Sequence, residues 1–466
     1  MEERELPVGW EQVFIGDLCE VIDQRVPNDN ERFLYIDIGS IDKDLKAIVS
    51  PTEMTGVDAP SRARKVVREG DVLVSMTRPR LNAVALVPPN LDGQIATTGF
   101  DVLRCTGVEP RWLYFLVRSR AFVVAMSDLV QGALYPAVKA KDIRGYLIPL
   151  APLNEQRRIA AKLDTTLAAV EACRKRLDGM AALLKRFRQS VLAAATSGEL
   201  TREWRQVRGI EVRDWSTIKT REAGRVQLGR QRSPKYHNGP TLRPYLRVQN
   251  IFEDHIDLSD VMEMDFSGAD LERYLLHHGD ILLNEGQSPQ YLGRPAMYRG
   301  EVPGEVCFTN SLIRFQAGDS VQPEFALLVF RYYMHSGRYV SEGTITTNIA
   351  HLSAGRFGEV EFPLPSPDEQ IEIVRRAHEL FTLADQLKAK LTVARKIVEH
   401  LTPALLAKAF RGELVPQDPS DDPASVLLER IRAARQAEAA AGKPSRRGRT
   451  RAGVHLDQFR LDSAHM

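Results

Sequence analysis

Two stretches of the chain carry apolar residues in alternating steps of four and three. The first runs through Ile159, Leu163, Thr166, Val170, Cys173, Leu177, Met180, Leu184, Phe187 and Val191. The second runs through Ile373, Ala377, Leu380, Ala384, Leu387, Leu391, Ala394, Val398, Leu401 and Leu405, each 214 positions after its partner. This spacing predicts two long coiled-coil helices, each burying a narrow seam against another helix. Roughly 45 residues at 1.5 Å each give a rod of about 65 Å. Helix N-cap types, Asn154 and Asp368, stand just before a Glu-Gln pair in both copies, Glu155-Gln156 and Glu369-Gln370. Both copies close on Gly-Glu-Leu, Gly198–Leu200 and Gly412–Leu414, where a glycine suits a helix stop. A shared register with shared ends implies an internal repeat. One departure is Pro403, which stands where the first copy has Gln189 and predicts a kink in the last turns.

The segments before each helix correspond more loosely. "EGDVLVS" at Glu69 echoes "HGDILLN" at His278, and "GWEQV" at Gly9 echoes "DWSTI" at Asp214. Short apolar runs broken by Gly, Pro and Asp read as strands. Short helices fit "PRWLYFLVRSRAFVVAMS" and "PEFALLVFRYYMHSGRYV". The expected architecture is α+β: two mixed, mostly-β domains joined by two long antiparallel helices, with a pseudo-two-fold repeat. The expected boundaries are 1–150 for the first head, 151–200 for its helix, 201–364 for the second head and 365–414 for its helix. Residues 415–466 remain for a further amphipathic helix and a basic, disordered tail. If the seams pair, the second helix returns toward the first head, giving a dumbbell. Two unlike heads at a fixed separation suit a repetitive ligand such as duplex DNA.

Composition adds bounds rather than function. The chain has 466 residues, 43% apolar, with a net charge of +2, so only local charge can argue for nucleic acid. Its four cysteines, Cys19, Cys105, Cys173 and Cys307, are dispersed and read as reduced packing residues. No apolar run approaches the ~20 residues of a spanning helix, and the N-terminus has no signal-peptide core. A soluble, cytoplasmic protein is expected.

The doubled Pro-Leu-x-x-x-x-Glu-Gln openings (Pro149 to Gln156, Pro363 to Gln370), the Gly-Asp-Val/Ile-Leu strands and the paired Gly-Glu-Leu ends resemble the specificity subunits of type I restriction–modification enzymes (the HsdS family). The resemblance covers residues 6 to about 415. It implies that each head is a target recognition domain reading half of a bipartite DNA sequence. It also implies that the helices set the gap and dock two methyltransferase subunits, which two translocase–nuclease subunits join. S-adenosylmethionine, ATP and magnesium are then expected on those partners and no cofactor on this chain.

The catalytic motifs such partners need are missing from this sequence. The chain has no G-x-x-x-x-G-K-[ST] loop, no Asn/Asp-Pro-Pro-aromatic motif and no paired-histidine zinc motif. His277-His278 reads as a solvated pair. No catalytic residue and no metal site is expected. The competing readings are a self-sufficient methyltransferase or nuclease, which needs those motifs, and a coiled-coil scaffold with protein-binding heads, which needs no DNA affinity.

Candidate DNA contacts fall in three kinds of loop. The loop after each Gly-Asp strand offers Ser75, Thr77, Arg78, Arg80 and Asn82 in head one, and Asn284, Glu285, Gln287, Ser288, Gln290 and Arg294 in head two. These types match base-edge chemistry: Arg for guanine, Asn or Gln for adenine, Glu for cytosine. A loop before each helix opening offers Gln131, Tyr135, Lys139 and Lys141, then Thr346, Thr347, Asn348 and His351. The stretch "GRQRSPKYHNG" offers Arg230, Arg232, Lys235, Tyr236 and His237, a basic cluster suited to phosphates.

Overall fold

Both four-three stretches fold as single helices, Leu153–Thr196 and Pro367–Ala409. The computed structural model describes residues 5–130, 136–211, 215–346 and 349–441, with backbone alone at 346 and 438–441. The first helix stops just before Gly198 and the second before Gly412, and both glycines have φ above +70°. That left-handed conformation is cheap only for glycine, which explains the repeated stop. The second helix stays helical through Pro403 to Ala409.

The chain divides into two compact units, residues 1–173 with 397–466, and residues 174–396. Each unit therefore combines a head, the start of one long helix and the end of the other. In the first unit Ile159, Ala160 and Leu163 share a buried cluster with Leu406 and Ala409. In the second, Val191, Leu192 and Ala195 share one with Ile373 and Ala377. The direction is fixed by charged pairs in the second unit. Arg395 meets Asp178 at 2.8 Å and Arg188 meets Asp385 at 2.5 Å, so contacts climb one helix as they descend the other. The helices are antiparallel.

The seam is narrower than the sequence suggests. Ile159, Leu163, Val191, Ile373, Ala377, Ala384 and Leu391 are buried, and Val170, Leu177, Leu184, Val398 and Leu405 half-buried. Of the intervening members, Thr166, Phe187, Leu380 and Ala394 are half-buried, while Cys173, Met180, Leu387 and Leu401 are exposed. The helices thus bury fewer than the two residues in seven of a full heptad seam. Cys173 is accordingly not a packing residue; Cys19 and Cys307 are buried and all four thiols are free.

Within each head the first strand pairs antiparallel with the last: Glu11–Phe14 with Leu147–Leu150, and Ser216–Lys219 with Glu361–Leu364. This closure carries the tryptophan before the first strand to the start of the long helix. Trp10 Nε1 donates to Glu155 Oε2 at 3.0 Å, and Trp215 Nε1 to Glu369 Oε2 at 2.9 Å. The neighbouring glutamines do a second job. Gln156 accepts from Glu109 N and Gln370 from Gln322 N, at the openings of the helices Pro110–Val117 and Pro323–His335. The repeated Glu-Gln pair is thus the clasp between each head and its helix. Inside the heads, Val72–Ser75 lies between Phe100–Leu103 and Val84–Leu86, and Ile281–Asn284 between Leu312–Ala317 and Pro295–Met297, all antiparallel. Each head also has a parallel pairing, Tyr35–Ile36 with Ile95–Ala96 and Tyr245–Leu246 with Cys307–Phe308.

The last described helix, Ala424–Ala441, is part of the first unit. Ala424, Leu427, Leu428 and Ile431 enter the core formed by Val13, Ile15, Leu18 and Val108. Arg158 pairs with Asp421 at 2.7 Å, and Arg435 donates to the carbonyl of Cys19 at 2.6 Å. The basic stretch beyond Ala441 lies outside the described residues.

Candidate nucleic-acid interface

The Gly-Asp turn that opens each central strand is a buried structural device. Asp71 accepts from Arg104 through both oxygens, at 3.0 and 2.8 Å. Asp280 accepts from Gln316 at 3.0 Å and faces Arg314. Glycine supplies the positive φ just before, at Gly70 and Gly279. The strand that follows is wholly buried in both heads, so its exit is held rigidly. The loop at that exit is where polar side chains reach the surface.

In head one the exit loop and the segment before the last helix turn, separate in sequence, come together. Thr77 bridges Ala137, Arg78 N donates to Pro136 O at 2.8 Å, and Val138 N donates to Met76 O at 2.8 Å. Thr77, Arg78, Arg80, Lys139 and Lys141 are exposed. None of these four cations has a carboxylate partner among the described residues. Ser75 is buried and its hydroxyl donates to Thr77 O, so it shapes the loop from beneath. Asn82 is half-buried, with its amide nitrogen on Val117 O at 2.8 Å. Gln131 and Tyr135 lie outside the described residues.

The same juxtaposition recurs in head two. Gly286 and Gln287 pair with His351 and Ala350, and Ile349–His351 pairs in turn with Thr344–Thr346. Leu352 N donates to Glu285 O at 2.7 Å, and His351 Nδ1 lies 3.4 Å from Glu285 Oε2. Glu285, Gln287 and Ser288 are half-buried and Gln290 is exposed. Thr347 and Asn348 lie outside the described residues, as does the side chain of Thr346. Arg294 is half-buried between Phe252 and Tyr291, 4.5 and 5.3 Å from their ring centres. Burial lowers its pKa, against the pull of Tyr291 and Glu253.

Two candidates are turned inward. Asn284 is fully buried, and its side-chain amide has no partner among the described residues. Arg230 is buried as well. It bonds Asp265 O, pairs with Asp270 at 2.9 Å, and lies 3.8 Å from the ring centre of Tyr236. Arg232, Lys235 and His237 beside it are exposed. Arg230 bridges Thr309, and Ser311 O accepts from Glu285 N at 3.0 Å, so this stretch adjoins the exit loop.

Lys46 was not among the residues that the loop motifs pointed to. Four non-glycine residues among those described have positive φ: Lys46, Arg78, Asn82 and Asp254. Three belong to one constellation in head one, where Lys46 Nζ donates to Asn82 O at 2.5 Å. Backbone strain of this kind persists only where surrounding contacts enforce it, and it gathers at functional sites. Burial, then the nearby Arg118 cation, lowers the Lys46 pKa to about 8 against the pull of Asp44 and Asp42. Among the described residues no cluster of His, Cys, Asp and Glu could hold a metal, and no helix is long and apolar enough to cross a membrane.

Residues 7–178 match the Type I restriction modification DNA specificity domain family. The chain is 30% identical over 352 residues to the Type I restriction enzyme EcoKI specificity subunit of Escherichia coli K12, covering 72% of this chain and 75% of that one. The chain belongs to the type I specificity subunits. A second such subunit, EcoBI of Escherichia coli, is 31% identical over 342 residues, 64% of this chain and 67% of that one. The crystal structure of the HsdS subunit from Thermoanaerobacter tengcongensis matches with a TM-score of 0.66 and 29% identity, over 89% of this chain and 99% of that one. A chain from a study of complex assembly in the type I R-M system matches with a TM-score of 0.72 and 29% identity, over 88% of this chain and all of that one. A type I specificity subunit is a DNA-recognition component and not itself an enzyme, which removes the self-sufficient methyltransferase and the protein-binding scaffold as readings.

Proposed function

We propose that each head reads one half of a bipartite duplex target through its exit loop and the segment hydrogen-bonded to it. The observation that carries this reading is the repeated juxtaposition. In both heads a rigid buried strand delivers a polar turn against a second polar segment, and the two turns differ in chemistry. Head one offers Thr77, Arg78, Arg80, Lys139 and Lys141, suited to guanine edges and phosphates. Head two offers Glu285, Gln287, Ser288, Gln290 and His351, suited to adenine and cytosine edges. Arg232, Lys235, Tyr236 and His237 supply phosphate contacts beside it, Arg230 buttresses Tyr236, and Arg294 anchors the turn.

The long helices set the gap between half-sites and dock two methyltransferase subunits, with two translocase–nuclease subunits completing the complex in the cytoplasm. S-adenosylmethionine, ATP and magnesium belong to those partners. The test is Arg78→Ala and Arg80→Ala in the assembled methyltransferase. A guanine contact is worth about 1–3 kcal/mol and its loss relaxes one base position in one half-site. A phosphate contact lowers affinity for all sequences and reduces the salt slope by roughly one. Unchanged binding by both variants removes this turn from the interface.

A further inference from the structure

The head-one turn that carries Arg78 and Arg80 does not stand free. It is a short 3-10 turn, Pro79–Leu81, flanked on both sides by left-handed residues, Arg78 and Asn82. An arginine and an asparagine at positive φ return to ordinary conformations unless something holds them. Asn82 is held twice. Its side chain donates to Val117 O at 2.8 Å, and its carbonyl accepts from Lys46 Nζ at 2.5 Å. Lys46 comes from a separate hairpin, Ile41–Asp42 with Ala47–Ile48. It too is left-handed, and it is fixed in its own right. Its N donates to Asp42 O at 2.8 Å, and its carbonyl accepts from Tyr114 Oη at 2.9 Å.

We infer that Lys46 is a positioning residue for half-site recognition: by tethering the Asn82 carbonyl it fixes the turn that presents Arg78 and Arg80. This rests on the reading of that turn as a DNA contact. A half-buried ammonium engaged with a backbone carbonyl is poorly placed to serve as a free phosphate contact. Its effect falls on geometry instead. Bidentate recognition of a base edge depends on the direction of the arginine fork, whereas a phosphate contact tolerates displacement. Loosening the turn therefore erodes discrimination before it erodes affinity.

The test uses the full chain assembled with its methyltransferase subunits and a panel of duplexes, each with one base changed in one half-site. Arg78→Ala first assigns the half-site that head one reads. Lys46→Met keeps the aliphatic stem and removes the donor, and Lys46→Arg restores a cation. Tyr114→Phe loosens the hairpin from behind and serves if Lys46→Met folds poorly. The expected result for Lys46→Met is a loss of about tenfold in base discrimination within the head-one half-site. The other half-site and the salt slope stay unchanged, Lys46→Arg recovers part of the loss, and Tyr114→Phe shows a smaller relaxation of the same kind. Uniform weakening on all duplexes with the salt slope lower by about one makes Lys46 a phosphate contact and overturns the inference. Unaltered base preference in Lys46→Met and Tyr114→Phe, with activity lost evenly, reduces Lys46 to a fold-supporting role and overturns it too. If Arg78→Ala and Arg80→Ala leave recognition intact, the reading of the turn as a DNA contact fails and the inference falls with it; if they relax recognition while Lys46→Met does not, the inference alone is overturned.

Discussion

The twin glutamates at the two helix openings differ in a way that substitution can expose. In the second unit Glu369 is almost wholly buried and fully engaged. Its Oε1 accepts from Thr201 Oγ1 at 2.7 Å and Arg205 Nη1 at 2.6 Å, and its Oε2 from Trp215 at 2.9 Å. In the first unit Glu155 accepts from Trp10, but its Oε1 is buried with no partner among the described residues. The positions equivalent to Thr201 and Arg205, 214 further on, are Val415 and Pro419, which cannot donate from a side chain. Glu369→Gln leaves Arg205, 4% exposed at its side chain, without a counter-charge. Breaking a buried pair this way costs about 3–5 kcal/mol. Glu155→Gln keeps an acceptor for Trp10 and removes a charge that burial already disfavours, so stability changes by less than about 1 kcal/mol. Burial raises the Glu155 pKa above 4.5. The folded chain then holds a proton that the unfolded chain gives up, so the wild-type contribution is present at low pH and lost as pH rises through the folded value. Glu155→Gln should therefore gain on the wild type toward neutral pH. Urea unfolding of the purified chain, followed by tryptophan fluorescence, measures all of this. With a slope of about 1–3 kcal/mol per molar, Glu369→Gln should move the second-unit transition down by 1 M or more, while Glu155→Gln leaves the first in place. Equal losses for the two variants would show that the hydrogen-bond partners do not set the difference between the two glutamates.

Truncation after Val415 should destabilise the first unit by more than about 4 kcal/mol, because Leu427, Leu428 and Ile431 leave its core. Hydrogen exchange should show protection lost in residues 11–150 and kept in residues 216–364. Inserting seven residues at matching levels of both long helices preserves the seam phase and lengthens each by about 10.5 Å. Sequencing of modified bases should then show a gap about three base pairs wider, or sharply reduced methylation because the groove has turned by about 0.3 of a helical repeat. Full methylation at the original gap would show that the helices do not set it.

The repeat, the long helices and their ends were legible because periodicity and glycine stops are local signals. Glu155 and Glu369 were legible as a motif but not as a clasp, since their indole partners Trp10 and Trp215 lie about 150 residues away. The exit loops could be named from the Gly-Asp strands, yet their pairing with Ala137 and His351 is a tertiary fact. Composition alone cannot tell a solvated arginine from Arg230, whose carbonyl and aspartate partners lie in distant segments. Lys46 carried no signal at all, because a left-handed lysine looks like any other in sequence. The seam was overestimated because a four-three pattern does not say how wide the partner is. Cys173 and Met180 keep the phase and still face solvent.

If the two heads read separate half-sites independently, exchanging one head changes one half-site alone. Residues 1–150 are replaced by those of a relative of different specificity, together with residues 416–441, whose Leu427, Leu428 and Ile431 pack on the same head. Modified bases are then sequenced in cells carrying the methyltransferase subunits. The expected product is a bipartite methylated motif in which one half changes, while the other half and the gap stay as they were. A motif in which both halves change together, or one with no gap, would contradict that independence.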